Sequence, residues 1–138
     1  MGFKRSAVLV CLGLMAAGGW SAAEAKGPPL PRYGVMVYSN LCVDRQGGDY
    51  GGERLTLIRR PEGDSLVYEY GNGPLSAPVA ADNLNIKGDT LTASALNDDT
   101  VVFLVAHLRA DGAVLTGRGD DRRLQRITTY AGKIPACR

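Results

Sequence analysis

The sequence predicts an all-β fold: a small antiparallel meander barrel of about eight strands, closed or nearly closed. Three observations carry this. Apolar residues recur with period two in short runs, and no convincing helical period follows residue 25. Turn residues punctuate those runs at intervals of roughly ten residues. Thr100–Arg109, TVVFLVAHLR, is the longest run of β-branched and aliphatic residues outside the N-terminus and offers a template for the shorter strands. Both of its faces are largely apolar, which predicts a central strand covered on both sides. A two-sheet β-sandwich is the alternative architecture.

The chain opens on a secretory signal peptide. Lys4 and Arg5 precede the apolar run Ser6–Gly18, and Ala23-Glu24-Ala25 places small residues where signal peptidase reads. Cleavage is expected after Ala25, with Ala23 the close alternative. The run is shorter than the ~20 apolar residues that span a bilayer. Residues 1–25 are therefore expected to leave, and 26–138 to form a single exported β domain, periplasmic or extracellular. Of 16 basic and 14 acidic residues the leader carries Lys4, Arg5 and Glu24, so 14 face 13 in the mature chain. Near-neutral charge gives no electrostatic case for nucleic acid or for a membrane surface after cleavage. Nothing in the sequence calls for self-association, and a monomer is expected.

Cys11 leaves with the leader, which strands Cys42 and Cys137 in an oxidising compartment. Two cysteines allow one intramolecular pairing, and a disulfide is predicted. Zinc-type spacing of Cys and His is absent, so no metal and no cofactor is expected.

Taken in order, Lys26–Arg32 is excluded from helix and central strand by Pro28, Pro29 and Pro31. Tyr33–Val43 is the first strand region, with a bend at Ser39-Asn40. Asp44–Glu53 is Gly-rich and reads as a turn or bulge, because Gly supplies positive φ and no Lys-Ser/Thr phosphate signature follows. Tyr50 sits at its tip. Arg54–Arg60 and Ser65–Tyr70 form a hairpin around Pro61–Asp64, with Leu66, Tyr68 and Tyr70 on one face. Asn83–Ile86, Thr90–Leu96 and Thr100–Arg109 follow, separated by Lys87-Gly88-Asp89 and Asn97-Asp98-Asp99. Ala113–Gly117 and Leu124–Tyr130 complete the set around the charged turn Arg118–Arg123.

Candidate chemistry is sparse. His107, the only histidine, has no G-x-S-x-G or free cysteine to act with, so a rim or partly buried position is expected rather than catalysis. Asp98-Asp99 and Asp120-Asp121 read as turn carboxylates, and Arg118-Gly119-Asp120 as part of a solvated charged loop. The candidate binding residues are Asp49 and Tyr50, together with Arg59, Arg60, Arg118, Arg122, Arg123 and Arg126. If strand ends bring the arginines together they make a basic rim, since guanidinium forks onto carboxylate or phosphate.

The expected function is that of a non-enzymatic exported protein that binds another protein, as an inhibitor in one form of this reading. In general build the chain resembles the small periplasmic β-barrel inhibitors of lysozyme; no residue roles are transferred on that basis. The alternative is a carrier of a small apolar ligand, lipocalin-like in shape. Ala93, Ala95 and Ala106 would leave interior room for it.

Overall fold

The computed structural model describes residues 29–117, 119–128 and 133–138. The predicted leader and Arg118 lie outside the described residues. Within them all regular structure is strand: β1 (Gly34–Ser39), β2 (Cys42–Val43), β3 (Tyr50–Arg59), β4 (Ser65–Gly73), β5 (Val79–Ala80), β6 (Asp82–Lys87), β7 (Thr90–Asn97), β8 (Thr100–Leu108), β9 (Gly112–Thr116) and β10 (Arg122–Ile127). The path β5-β4-β3-β1-β10-β9-β8-β7-β6 is antiparallel throughout, and β2 pairs β3 beside it. Nine strands thus curl into a nearly closed barrel, in agreement with the meander expected from the short turns.

Closure comes from a long-range strand pairing. β1 lies between β3 and β10, with Met36 opposite Leu57 and Tyr38 opposite Arg126. That ladder ties the meander β3–β5 to the meander β6–β10. The unsealed seam falls between β5 and β6, which adjoin in sequence through Ala81. Val79, Ala81, Leu84 and Ile86 pack against the core there, so side chains line the seam where no ladder runs.

Strand alternation decides the interior. Met36 and Tyr38, Leu55 and Leu57, Leu66 and Tyr68, Leu91, Leu104, Leu108, Leu115 and Leu124 all point inward and are buried. Ala93, Ala95 and Ala106 belong to the same core. Tyr38, Tyr68 and Met36, each essentially fully buried, belong to that core with them.

Two expectations need correction. The β8 strand is covered on one face only. Val102, Leu104, Ala106 and Leu108 are buried, whereas Val101, Phe103 and His107 are exposed on the outside. A single curled sheet has one inner face, and among the described residues no helical layer covers the other. Secondly, Tyr50 is no loop tip: it begins β3, paired with Val43 and Gly73. The Gly-rich stretch enters the sheet because Gly52 holds φ +91° while the Asn40 carbonyl presses on it; a Cβ there would lie 2.5 Å from that oxygen. Asn40 completes the junction, donating its N–H to Glu53 O and accepting the Glu53 N–H on Oδ1.

The predicted disulfide is present. Cys42 and Cys137 are bonded with Cα atoms 4.8 Å apart. Beside it the Val43 N–H donates to Pro135 O and the Cys137 N–H to Val43 O. Such a bond is consistent with an oxidising, exported location.

Tyr38 gives a pH prediction. Its hydroxyl donates to Arg109 O at 3.2 Å inside the barrel. Burial raises its pKa above the usual 10.0, and Arg126 and Arg59 only partly oppose this. The unfolded chain then ionises first as pH rises. Stability is full below about pH 10 and falls as pH climbs through the folded value. Urea midpoints should drop as pH rises above about 10, and Tyr38→Phe should flatten that drop. An equally steep drop in Y38F would assign it to other groups.

Candidate functional site

One end of the barrel carries the polar groups that the core does not absorb. β3 alternation turns Glu53 inward above Leu55 and Leu57, at the level where β4 ends and β10 begins. The Tyr68 hydroxyl donates to Glu53 Oε1 at 2.8 Å, and Arg122 Nη1 donates to the same oxygen at 2.9 Å. Arg122 points inward because it is in phase with Leu124 on β10. The Glu53 side chain is only 7% exposed. Its Oε2 and the Arg122 Nε are buried without a hydrogen-bond partner. Buried polar atoms are nearly always satisfied in folded proteins, so the pair stands out.

Above this floor lies an open cleft of about 580 Å³, walled by Gly52, Glu53, Tyr70, Gly71, Asn72, Asn97, Asp98, Thr100 and Arg122. A second hollow of about 360 Å³ runs on towards Pro74–Ala77 and shares Tyr70, Asn72, Asn97 and Asp98 with it. The Tyr70 hydroxyl donates to Asp98 Oδ2 at 2.6 Å between those shared walls, joining β4 to the β7–β8 turn. Tyr70 also stacks on Tyr68, with centroids 6.0 Å apart.

The β7–β8 turn is itself unusual. Asp98 and Asp99 both hold positive φ, 41° and 66°, in the two-residue hairpin between Asn97 and Thr100. Gly or Asn is preferred in such turns. Aspartate tolerates the conformation and supplies carboxylates that glycine could not.

Outside the same hairpin sits an apolar strip. Leu96 and Val101 face each other across β7 and β8, and Phe103 follows on β8. Their exposures are 54%, 55% and 78%. His107 lies further down this outer face, its Nδ1 3.2 Å from Thr90 Oγ1.

The arginines do not form one rim. Arg122 is at the cleft and Arg123, one residue on, faces outward and is exposed. Arg59 and Arg60 are at the opposite end, where Arg59 pairs with Asp64 and donates to Pro31 O, and Arg60 reaches Ser65. Arg126 also points inward, donating to Ala110 O at the β8–β9 turn. Asp49 is exposed at the end of a turn in which Asp44 N–H donates to Asp49 O. Of the sequence-derived candidates among the described residues, then, only Arg122 enters the cleft. Asp98 reads in the sequence as a turn carboxylate, Tyr70 as a ring on the face of Leu66 and Tyr68, and Glu53 as the end of the Gly-rich turn. Glu53 carried a usable signal, since it is in phase with Leu55 and Leu57 once the strand is begun before Arg54.

Among the described residues no three His, Cys, Asp or Glu side chains gather to hold a metal ion. Comparison with protein-family profiles, curated proteins and solved structures finds no match to this chain.

Proposed function

We propose that the chain is a non-enzymatic exported protein that binds another protein, with inhibition of the partner as its activity. The observation that carries this is the strip Leu96, Val101 and Phe103 beside the Asp98-Asp99 turn. Single exposed apolar residues are ordinary, but three contiguous ones at a hairpin end are the pattern of an interaction surface. An apolar strip that ends in a carboxylate turn fits a partner offering an apolar pocket with Lys or Arg beyond one end. The filled interior supports this reading over that of an apolar carrier.

The test begins with native mass spectrometry of the exported protein. The mass of residues 26–138 less two hydrogens, with no lipid-like addition, is expected. Proteins retained by the immobilised wild type are then measured singly against Phe103→Ser. Truncating a central aromatic anchor should weaken binding by about 2 kcal/mol or more. A co-purified apolar molecule would move the reading to a carrier. Equal binding by F103S would sink the proposed surface.

A further inference from the structure

We infer that the cleft at the barrel end is a binding site for a neutral saccharide. It goes beyond the protein-binding surface, which lies on the outer face of β7 and β8, and does not depend on it.

The floor sets the ligand chemistry. Glu53 Oε2 accepts hydrogen bonds and Arg122 Nε donates one; both lack partners, and the Glu53 side chain is more than nine-tenths buried. An ammonium group only donates, and a carboxylate or phosphate only accepts. A hydroxyl does both, so a ligand rich in hydroxyls matches an acceptor and a donor alike. The walls repeat this demand. Asn72 and Asn97 offer both donors and acceptors, and Thr100 adds a hydroxyl. An anion would meet the carboxylates of Glu53 and Asp98. A cation would meet Arg122. The Tyr70 ring adds a flat apolar surface for the C–H face of a sugar ring. At about 580 Å³ the cleft falls within the range of small-molecule sites, roughly 300–1,000 Å³.

Access is built in as well. Tyr70 and Asp98 are joined by one hydrogen bond on side chains open to solvent, across walls that both hollows share. A ligand occupying both hollows exchanges that bond for bonds of its own. Loss of the Tyr70–Asp98 hydrogen bond is therefore expected on binding.

The test uses the full exported chain on an array of neutral oligosaccharides of glucose, galactose, mannose and N-acetylglucosamine. Hits are titrated by NMR, with sulfate and spermidine as charged comparisons. At least one neutral saccharide should shift the amides of Gly52, Glu53, Asn72, Asn97 and Thr100 together. Glu53→Gln should weaken it about tenfold or more, because a charge-assisted acceptor becomes a neutral group. Asn72 is exposed, so Asn72→Ala keeps the fold and should weaken binding several-fold, about the effect of one lost hydrogen bond. Lys87→Ala, at the far end of β6, should change nothing. No saccharide bound at millimolar concentration would overturn the inference. So would preference for sulfate or spermidine, or unchanged affinity in both E53Q and N72A. In those cases a sequestered water would be what satisfies the Glu53–Arg122 pair.

Discussion

Cys42→Ser, Cys137→Ser and the double variant are each expected to lose about 4 kcal/mol of folding stability. The bridge joins residues 95 apart in sequence. Closing so long a loop removes about 4.7 kcal/mol of chain entropy from the unfolded state in the entropy model, and engineered cases often realise less. The native-state geometry argues for a large share of it here. The bridge is seated between two backbone hydrogen bonds that tie Val43 to Pro135 and Cys137. It also lies against Gly51, where a Cβ would come 3.6 Å from Cys42 Sγ and 3.8 Å from Cys137 Sγ. Removing it frees the C-terminal segment and β2 from the start of β3. Urea unfolding is the measurement, and the thermal midpoint should fall by roughly 15–20 °C. The single and double variants should agree, since all three lift the same constraint. A loss under about 1 kcal/mol would mean that the unfolded chain is already compact around this loop.

Much of this fold was readable. Period-two runs and Gly/Asp/Asn turns locate most of the strands, because a half-buried strand writes its two faces into alternate residues. The cysteine pairing was readable because Cys42 and Cys137 are the two cysteines outside the expected leader. Two other properties were not. Closure rests on β1 meeting β10, a contact that joins residues about ninety apart and leaves no local pattern. Inside and outside were also undetermined for β8, whose faces are both apolar in Thr100–Arg109. Only the curvature of the sheet, which turns Val102, Leu104 and Ala106 inward, tells them from Val101 and Phe103.

The site was hidden by the same two gaps. Glu53 is polar and stands beside a Gly-rich stretch, so it reads as loop. The close approach of Asn40 to Gly52 draws that stretch into β3 and makes Glu53 the last inward residue above the core. Arg122 reads as one of several scattered charges. Its meaning comes from β10 lying beside β1, which brings its guanidinium to a carboxylate 69 positions away. The Ala93, Ala95 and Ala106 positions illustrate the converse. Small residues suggest space, yet space belongs to the assembled core, of which Tyr38 and Tyr68 are also part.

Glu69→Gln and Arg54→Met should each cost about 3 kcal/mol or more, whereas R54M/E69L together should come within about 1 kcal/mol of wild type. Arg54 and Glu69 are directly opposite on β3 and β4 and face away from the core. They are nonetheless buried, 8% and 3% exposed, and joined by two bonds, Nε to Oε2 at 2.7 Å and Nη2 to Oε1 at 2.6 Å. Breaking one half of such a pair leaves a charge in a place already stripped of water; removing both leaves none. A double-mutant cycle by urea unfolding measures the difference. If the double variant is as unstable as either single, packing of these side chains, and not their charge, is what holds this face. Glu53 and Arg54 are neighbours on opposite faces of β3, so a slip of one residue between β3 and β4 would turn Glu53 out and Arg54 in. That register is held by the buried faces of the two strands, Leu55 and Leu57 on β3 and Leu66 and Tyr68 on β4, which a slip would expose. R54M/E69L should therefore keep its cleft amide spectrum as well as its stability, since the inward faces still fix the register.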